Sequence, residues 1–270
     1  MLGKLIKNEF KSNIHSVGMI YLVSAAAILI MLASYIADIT WISALATIVL
    51  IATGLIAVVV TFISVVSNFK KTLYGDQGYL SFTLPVTSGQ LLAAKTITSF
   101  CWMLLSYLVA GGIFVGVYLY STAMIGEDVK MALKLMFSMF EGFPSTTTIK
   151  QVVVIMALIV FIRIIVLIAQ LYFAITLANT RVMQKLGGFA PFVIFFAIFI
   201  VMQIISLLLA QYVPFTLVVT ENGLFYSMVS TMESPLGLTF GLAGTVFNVI
   251  CAALLFWGTA KIMNTKINIK

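Results

Sequence analysis

The stretch from Trp41 to Ser67, WISALATIVLIATGLIAVVVTFISVVS, contains no charged residue in 27 positions. A helix of this length rises about 40 Å, whereas the hydrocarbon core of a bilayer is about 30 Å thick. Lipid offers no hydrogen-bond partner to the backbone, so a chain that crosses it must form helices or a closed barrel. The stretch therefore predicts a transmembrane helix.

Five other apolar runs are long enough to cross a bilayer. Over the whole chain, 62% of residues are hydrophobic and only 9% are charged, whereas soluble domains carry about 25% charged residues. We therefore predict an all-α integral membrane protein with six transmembrane helices. The other five runs cover about Val17–Ile36, Thr96–Tyr120, Gln151–Ala178, Phe189–Val213 and Gly237–Thr259.

Lysine and arginine predict the orientation of these spans, because cytoplasmic loops carry an excess of both residues. With the N-terminus in the cytoplasm, eleven of them fall inside, three fall outside and Arg163 falls within a span. We predict a multi-pass protein of the plasma membrane of a bacterial cell, with both termini cytoplasmic. The inside set is Lys4, Lys7, Lys11, Lys70, Lys71, Lys95, Arg181, Lys185, Lys261, Lys266 and Lys270, and the outside set is Lys130, Lys134 and Lys150.

Four segments around the spans carry further information. Residues 1–15 alternate apolar residues and lysines at helical spacing, which predicts an amphipathic elbow helix in the membrane interface. Residues 68–95 form the largest cytoplasmic loop, and residues 121–150 form an extracellular segment with a second amphipathic helix. The extracellular segment 214–236 is apolar in parts, and both an outside position and a return into the membrane stay open. We treat 1–270 as a single transmembrane permease domain.

The residues offer little for catalysis. His15 is the only histidine, no pair of carboxylates falls inside a span, and a phosphate-binding G-x-x-x-x-G-K-[ST] motif is absent from the sequence. Cys101 and Cys251 lie in apolar segments and are interpreted as packing residues. The net charge of +7 is scattered between apolar runs, so nucleic acid is not expected as a partner. We predict a chain that is not an enzyme and has neither a metal nor a cofactor of its own.

Arg163 is the one charge within a span, and placing it near the bilayer centre costs roughly 2.5–3.5 kcal/mol unless it finds a partner. Gln170 follows seven positions later, on nearly the same helix face. Two interpretations stay open. Arg163, Gln170 and Gln203 line a translocation pathway or a subunit seam, or Arg163 is a packing residue bonded to backbone or to a group such as Gln203.

The loop at 68–95 reads NFKKTLYGDQGYLSFTLPVTSGQLLAAK. Two short amphipathic pieces are predicted, around Phe69–Tyr74 and Gln77–Leu84, with Ser88 capping the helix that follows. The loop keeps large apolar residues on the cytoplasmic side, which is typical of a surface that docks another protein. These residues are Leu73, Tyr79, Leu80, Phe82 and Leu84.

This loop resembles that of the ABC-2 type permeases, the membrane subunits of ATP-binding-cassette exporters. Family members carry an acidic residue, a glycine, an apolar stretch, a proline, a helix start and a lysine in this order. The six spans and the elbow helix fit the same type V exporter-like architecture. The sequence of the loop is especially similar to that of permeases of Gram-positive bacteria linked to antimicrobial-peptide or drug efflux. The family usually has Glu where Asp76 stands. The matching residues are Asp76, Gly78, Leu80, Leu84, Pro85, Val86, Gln90, Leu91 and Lys95.

The resemblance implies a transport mechanism. Two permease chains, identical or homologous, would pair in the lipid bilayer with two copies of a separate ABC ATPase subunit, which holds the ATP and Mg. The ATPase would push on the loop at 68–95, which we call the coupling loop. An antimicrobial peptide, drug or lipid would then be exported. We expect Tyr79, Phe82 and Leu84 to anchor the ATPase.

Three alternatives stay open. A vitamin importer's substrate-binding subunit also has six spans and a separate ATPase, but it needs no long loop after the second span. An intramembrane protease or lipid-modifying enzyme is the second alternative. The single histidine and the absence of paired carboxylates within the spans count against it. A non-transporting sensor or assembly partner would be distinguished by transport assays in vesicles.

Overall fold

The computed structural model describes residues 2–37, 40–75, 87–124, 146–180, 183–220, 223–228 and 238–265. Six helices in this part of the chain are long and apolar enough to cross a membrane. The prediction of a multi-pass, mainly helical membrane protein is therefore confirmed. The chain divides into two compact units, one containing the described residues up to 124 and the other those from 146. The single permease domain stays a prediction.

The described residues of the first unit form a three-helix bundle. Its helices are α1 (Leu2–Ile36), α2 (Thr40–Tyr74) and α3 (Ser88–Met124), and each packs against the other two. Small side chains occupy the contact, because Ala27, Ala46 and Ala57 are all buried. Without a hydrophobic driving force between helices in lipid, such residues allow the close packing that holds the bundle together.

The N-terminal segment is helical, as predicted, but it continues into the first span without a break. Phe10 packs against Trp102 of α3, with 5.8 Å between the ring centroids, and Asn13 accepts a hydrogen bond from Ser64 of α2. These contacts hold the segment against the bundle. The separate elbow helix stays a prediction.

The helices on either side of the coupling loop are longer than predicted. α2 extends to Tyr74 and α3 begins at Ser88, so much of 68–95 is helix. Leu73, which we predicted as part of a docking surface, is fully buried in the first unit, and so is Phe69. That part of the prediction is wrong, because the two side chains lie on the inner face of α2.

The described residues of the second unit form three α-helices and a small sheet. The helices are α4 (Thr146–Ala178), α5 (Ala190–Tyr212) and α6 (Leu242–Thr265), with a 3-10 helix at Met183–Phe189 before α5. Gly187 in this connection has φ of 71°, a conformation that favours glycine. Val166, Ala169, Met202 and Ala252 form the shared core of the three helices.

An antiparallel sheet follows α5, where we predicted an apolar extracellular segment. Its strands are β1 (Thr216–Thr220), β2 (Gly223–Ser227) and β3 (Leu238–Gly241), in the order β2-β1-β3. β-Branched residues dominate β1, and two residues join β1 to β2 ahead of Gly223, a spacing typical of a hairpin. Among the described residues the sheet ends at β2 and β3, and in lipid the outer backbone groups of these strands would need further partners. This disfavours a return of these strands into the hydrocarbon core.

α5 and α6 approach each other closely at Gly244. A Cβ atom at this position would lie 2.7 Å from Ser206 Oγ and 2.9 Å from Ser206 O. Asn248 Nδ2 donates to Ser206 Oγ at 3.2 Å, and it donates to Gly244 O at 2.7 Å. The missing side chain at Gly244 is therefore what lets the two helices share these polar groups.

We expect Gly244→Ala to lower the free energy of unfolding by about 1–3 kcal/mol, because the added methyl group overpacks the contact with Ser206. Gly112→Ala is the matched control, since a Cβ atom there meets no atom within 4 Å. Chemical unfolding of the purified chain in detergent measures both variants. Equal stability of the two variants would contradict the close approach.

An even number of spans places both ends on the same side of the membrane, and the lysine distribution predicts the cytoplasmic side. In a Cys101→Ser, Cys251→Ser background, we expect an impermeant maleimide to label Asp128→Cys in intact cells. Gln77→Cys should react only after permeabilisation. Labelling of Gln77→Cys in intact cells would contradict the predicted orientation and indicate the opposite one.

Candidate functional site

The residues that we predicted to contact the ATPase lie outside the described part of the chain. They are Asp76, Gly78, Tyr79, Leu80, Phe82, Leu84 and Pro85. Both ends of this segment are described, however, at Gly75 and Thr87. The geometry of the two ends shows how the segment is attached to the first unit.

α2 ends at Gly75. The Gly75 amide donates to Lys70 O at 3.0 Å, and a Cβ atom at this position would lie 2.9 Å from Lys71 O. A larger residue would press on the last turn of α2, so glycine suits the tight exit of the chain. The first end of the coupling loop is thus closely tied to α2.

α3 begins with a capping box. The Thr87 amide donates to Gln90 Oε1, and the Gln90 amide donates to Thr87 Oγ1, both at 3.3 Å. This reciprocal pair satisfies two backbone donors at the helix start. We predicted Ser88 as the cap, but Thr87 occupies that position and Ser88 is the first helical residue.

Lys95 lies two turns into α3, and it joins all three helices of the first unit. Its Nζ donates to Glu9 Oε1 of α1 at 2.5 Å and to Thr72 Oγ1 of α2 at 2.6 Å. Asn68 of α2 donates to the other carboxylate oxygen of Glu9 at 3.0 Å. We call Glu9, Asn68, Thr72 and Lys95 the polar clamp.

The clamp is shielded from water. The side chain of Lys95 is 2% exposed and that of Glu9 is 13% exposed. Glu9 is also the only acidic residue among those that the structure describes. Removing one partner of such a pair leaves an uncompensated charge, which typically costs about 3–5 kcal/mol. The clamp therefore fixes α1 against the two helices that carry the loop.

A second polar group lies deeper in the same bundle. Ser106 of α3 is within 2.6 Å of both Tyr21 Oη of α1 and Thr61 Oγ1 of α2. Thr61 also donates to Ala57 O at 2.8 Å. These hydroxyl groups again join all three helices, so polar contacts continue from the clamp into the apolar part of the bundle.

A cleft beside this hydroxyl group is almost entirely apolar. Its volume is about 430 Å³, and Tyr21, Ile28, Leu50, Gly112 and Gly116 are among the residues that line it. Both glycines face open space. We call this feature the glycine cleft.

In the second unit, two of the three predicted pathway residues contact each other. Arg163 Nη1 donates to Gln203 Oε1 at 3.4 Å, and both side chains are exposed. Gln170 is buried instead, and its Nε2 lies 3.0 Å from Met202 Sδ. The Arg163–Gln203 bond matches the packing interpretation, while a role in a pathway or seam stays a prediction.

Sequence reasoning identified Lys95 but missed its partners. Glu9, Asn68 and Thr72 lie between 23 and 86 positions away from Lys95 along the chain. One signal was available, since a lysine in an apolar helix needs an acidic partner and Glu9 is the only carboxylate on the N-terminal helix. In the described ranges, no group of three His, Cys, Asp or Glu side chains could hold a metal ion.

We expect Glu9→Gln and Lys95→Met each to lower the free energy of unfolding by about 3–5 kcal/mol, because each leaves a buried charge without its partner. The double variant should lose less than the sum of the two, as expected for directly coupled groups. Denaturant unfolding in detergent measures the cycle, with exposed Lys11→Met as the matched control. Additive losses would show that the two groups are not coupled.

Comparisons of the chain with protein-family models, with curated proteins and with solved structures each found no match. The geometry of the two units and the resemblance of the coupling loop are therefore the two grounds for a function.

Proposed function

We propose that this chain is the transmembrane permease subunit of an ABC exporter of the ABC-2 type. Two permease chains pair in the plasma membrane of a bacterium, and two copies of a separate ABC ATPase bind on the cytoplasmic side. ATP and Mg reside on the ATPase subunits. The exported substrate is amphipathic or hydrophobic: an antimicrobial peptide, a drug or a lipid.

The observation that carries this proposal is the position of Lys95. It is the last residue of the segment that resembles the ABC-2 coupling loop, and it is buried in the polar clamp. An ordinary loop lysine would reach into water, since an ammonium group is strongly hydrated. Here Lys95, in the first two turns of α3, instead connects the C-terminal end of the 68–95 segment to α1 and α2.

The clamp gives the loop a mechanical connection to the spans. Gly75 and the Thr87–Gln90 capping box hold the loop close to two helix ends, so a displacement of the loop moves α2 and α3 directly. The Lys95–Glu9 pair extends that displacement to α1. ATP-driven closure of the ATPase would in this way tilt three spans together.

The glycine cleft supports the substrate class. Its volume of about 430 Å³ lies within the range of small-molecule sites, and its lining is apolar except near Tyr21 and Ser24. An acyl chain or an apolar side chain fits such a surface. In the second unit, Arg163 offers a cation at an exposed position of α4, where the pathway or the seam between permease chains would need one.

The proposal predicts that charge in the coupling loop separates the permease from its ATPase. We expect Tyr79→Asp, Phe82→Asp and Leu84→Asp each to reduce co-purification of an ABC ATPase from the native host by at least about tenfold. The reason is that burying an unpaired carboxylate at an apolar contact costs more than about 1.4 kcal/mol. Mass spectrometry of the affinity-purified full chain, together with export assays in vesicles, measures the effect.

Thr87→Asp is the matched control, because it adds the same charge next to the loop and aspartate is an equally good helix cap. This variant should keep the ATPase bound. Retention of the ATPase and of transport in all three loop variants would show that these residues do not anchor it. Absence of any ABC ATPase from the wild-type complex would refute the exporter assignment itself.

A further inference from the structure

A second cleft in the first unit lies between α1 and α2, and it shares Asn68 with the polar clamp. Its volume is about 390 Å³, and polar and apolar groups contribute to its wall in similar proportion. We call it the lysine cleft. Its polar wall includes Ser12 of α1 and Ser67, Asn68 and Lys71 of α2, and its apolar wall includes Val60 and Ile63.

The chemistry of this cleft changes along α2. Val60 and Ile63 come first, Ser67 follows one turn later, and Lys71 lies one turn beyond that on the same face. The distance from Val60 to Lys71 along the helix axis is about 16 Å, at about 1.5 Å per residue. A phospholipid has the same order, with acyl chain, glycerol ester region and charged phosphate.

The cleft also lies at the depth where a phospholipid headgroup would be. α2 has 35 residues and is about 52 Å long, whereas the hydrocarbon core spans about 30 Å. The charge-free part of α2 ends at Phe69, and Lys70 is its first charged residue. Ser67 to Lys71 therefore belong to the headgroup region, while Ile63, which is 56% exposed, faces the acyl chains.

The charge around the cleft is positive. Lys7, Lys11, Lys70 and Lys71 are all exposed in the described part of α1 and α2, and the only carboxylate there is Glu9. That carboxylate accepts a hydrogen bond from Asn68, and its negative charge is compensated by Lys95. An anion in the cleft would meet the Lys71 ammonium group rather than an unscreened negative charge.

Ser64 of the cleft donates to Asn13, but the other two serine hydroxyl groups, those of Ser12 and Ser67, are weakly committed. Ser12 Oγ donates to Asn68 Oδ1 at 3.5 Å, a distance at which a hydrogen bond contributes little. Ser12 and Ser67 are both exposed. Both O–H groups could turn to a phosphate oxygen while Asn68 keeps its bond to Glu9.

We propose that the lysine cleft binds an anionic glycerophospholipid. Lys71 neutralises the phosphate charge, Ser12 and Ser67 donate hydrogen bonds to it, and one acyl chain lies along Val60 and Ile63. The bound lipid bridges α1 and α2 next to the polar clamp. This inference does not rest on the exporter assignment, since it concerns the lipid that surrounds the protein in any role.

Native mass spectrometry of the full chain in detergent tests the proposal, with phosphatidylglycerol titrated as the probe. We expect Lys71→Gln to weaken the apparent affinity for phosphatidylglycerol about fivefold, the effect of one lysine near an anionic lipid. Ser67→Ala should weaken it to a smaller degree. Lys70→Gln is the matched control, because Lys70 is exposed and adjacent but does not line the cleft.

Three results would overturn the proposal. Equal losses in Lys70→Gln and Lys71→Gln would show a diffuse basic surface instead of a site. Equal affinity for phosphatidylcholine would show that the headgroup charge is not recognised. Displacement of the lipid by glycerol 3-phosphate at equal concentration would assign the cleft to a soluble phosphate, because the acyl chain would then contribute nothing.

Discussion

The ammonium group of Lys95 has almost no contact with water, and the arrangement of the first unit depends on how its charge is compensated. Glu9 supplies the opposite charge and Thr72 supplies a hydroxyl acceptor, so three helices must meet at one point. A buried ion pair is seldom more stable than an apolar contact of the same volume. Its contribution here is geometric, because an apolar seam permits helices to slide and a charge pair fixes their register.

The two units achieve helix contact by different means. In the first, the clamp and the Ser106 hydroxyl group join α1, α2 and α3 at two levels. In the second, Gly244 removes a side chain so that α5 and α6 can meet around Ser206 and Asn248. Both polar contacts and close packing at glycine suit helices in lipid. Lipid supplies no hydrogen-bond partners to polar groups, and helix association there depends on close van der Waals packing. Only the first unit, among the described residues, places an ion pair at such a junction.

The six spans could be predicted from sequence because lipid leaves helices as nearly the only choice and because charge is so scarce in them. The contacts between helices could not be predicted from sequence, because they depend on which helix faces meet. Gly112 and Gly116 have the spacing of a contact motif but face open space, whereas the close approach is at Gly244. Lys95 could be identified within the loop, but its partner Glu9 lies 86 positions away. For 214–236, an outside position and a return into the membrane both stayed open, because the β-branched apolar residues of the strands at 216–227 also suit a membrane segment.

The clamp and the lysine cleft share Asn68, and this sharing has a physical consequence. Asn68 donates to Glu9 from inside the bundle and accepts from Ser12 at the wall of the cleft. An anion bound to Ser12 would withdraw that hydroxyl from Asn68, and the Asn68 side chain could then shift while it keeps its bond to Glu9. The position of Glu9, and through it of Lys95, would then respond to what occupies the cleft. A lipid at this position would act, from the membrane side, on the same three helices that the clamp joins.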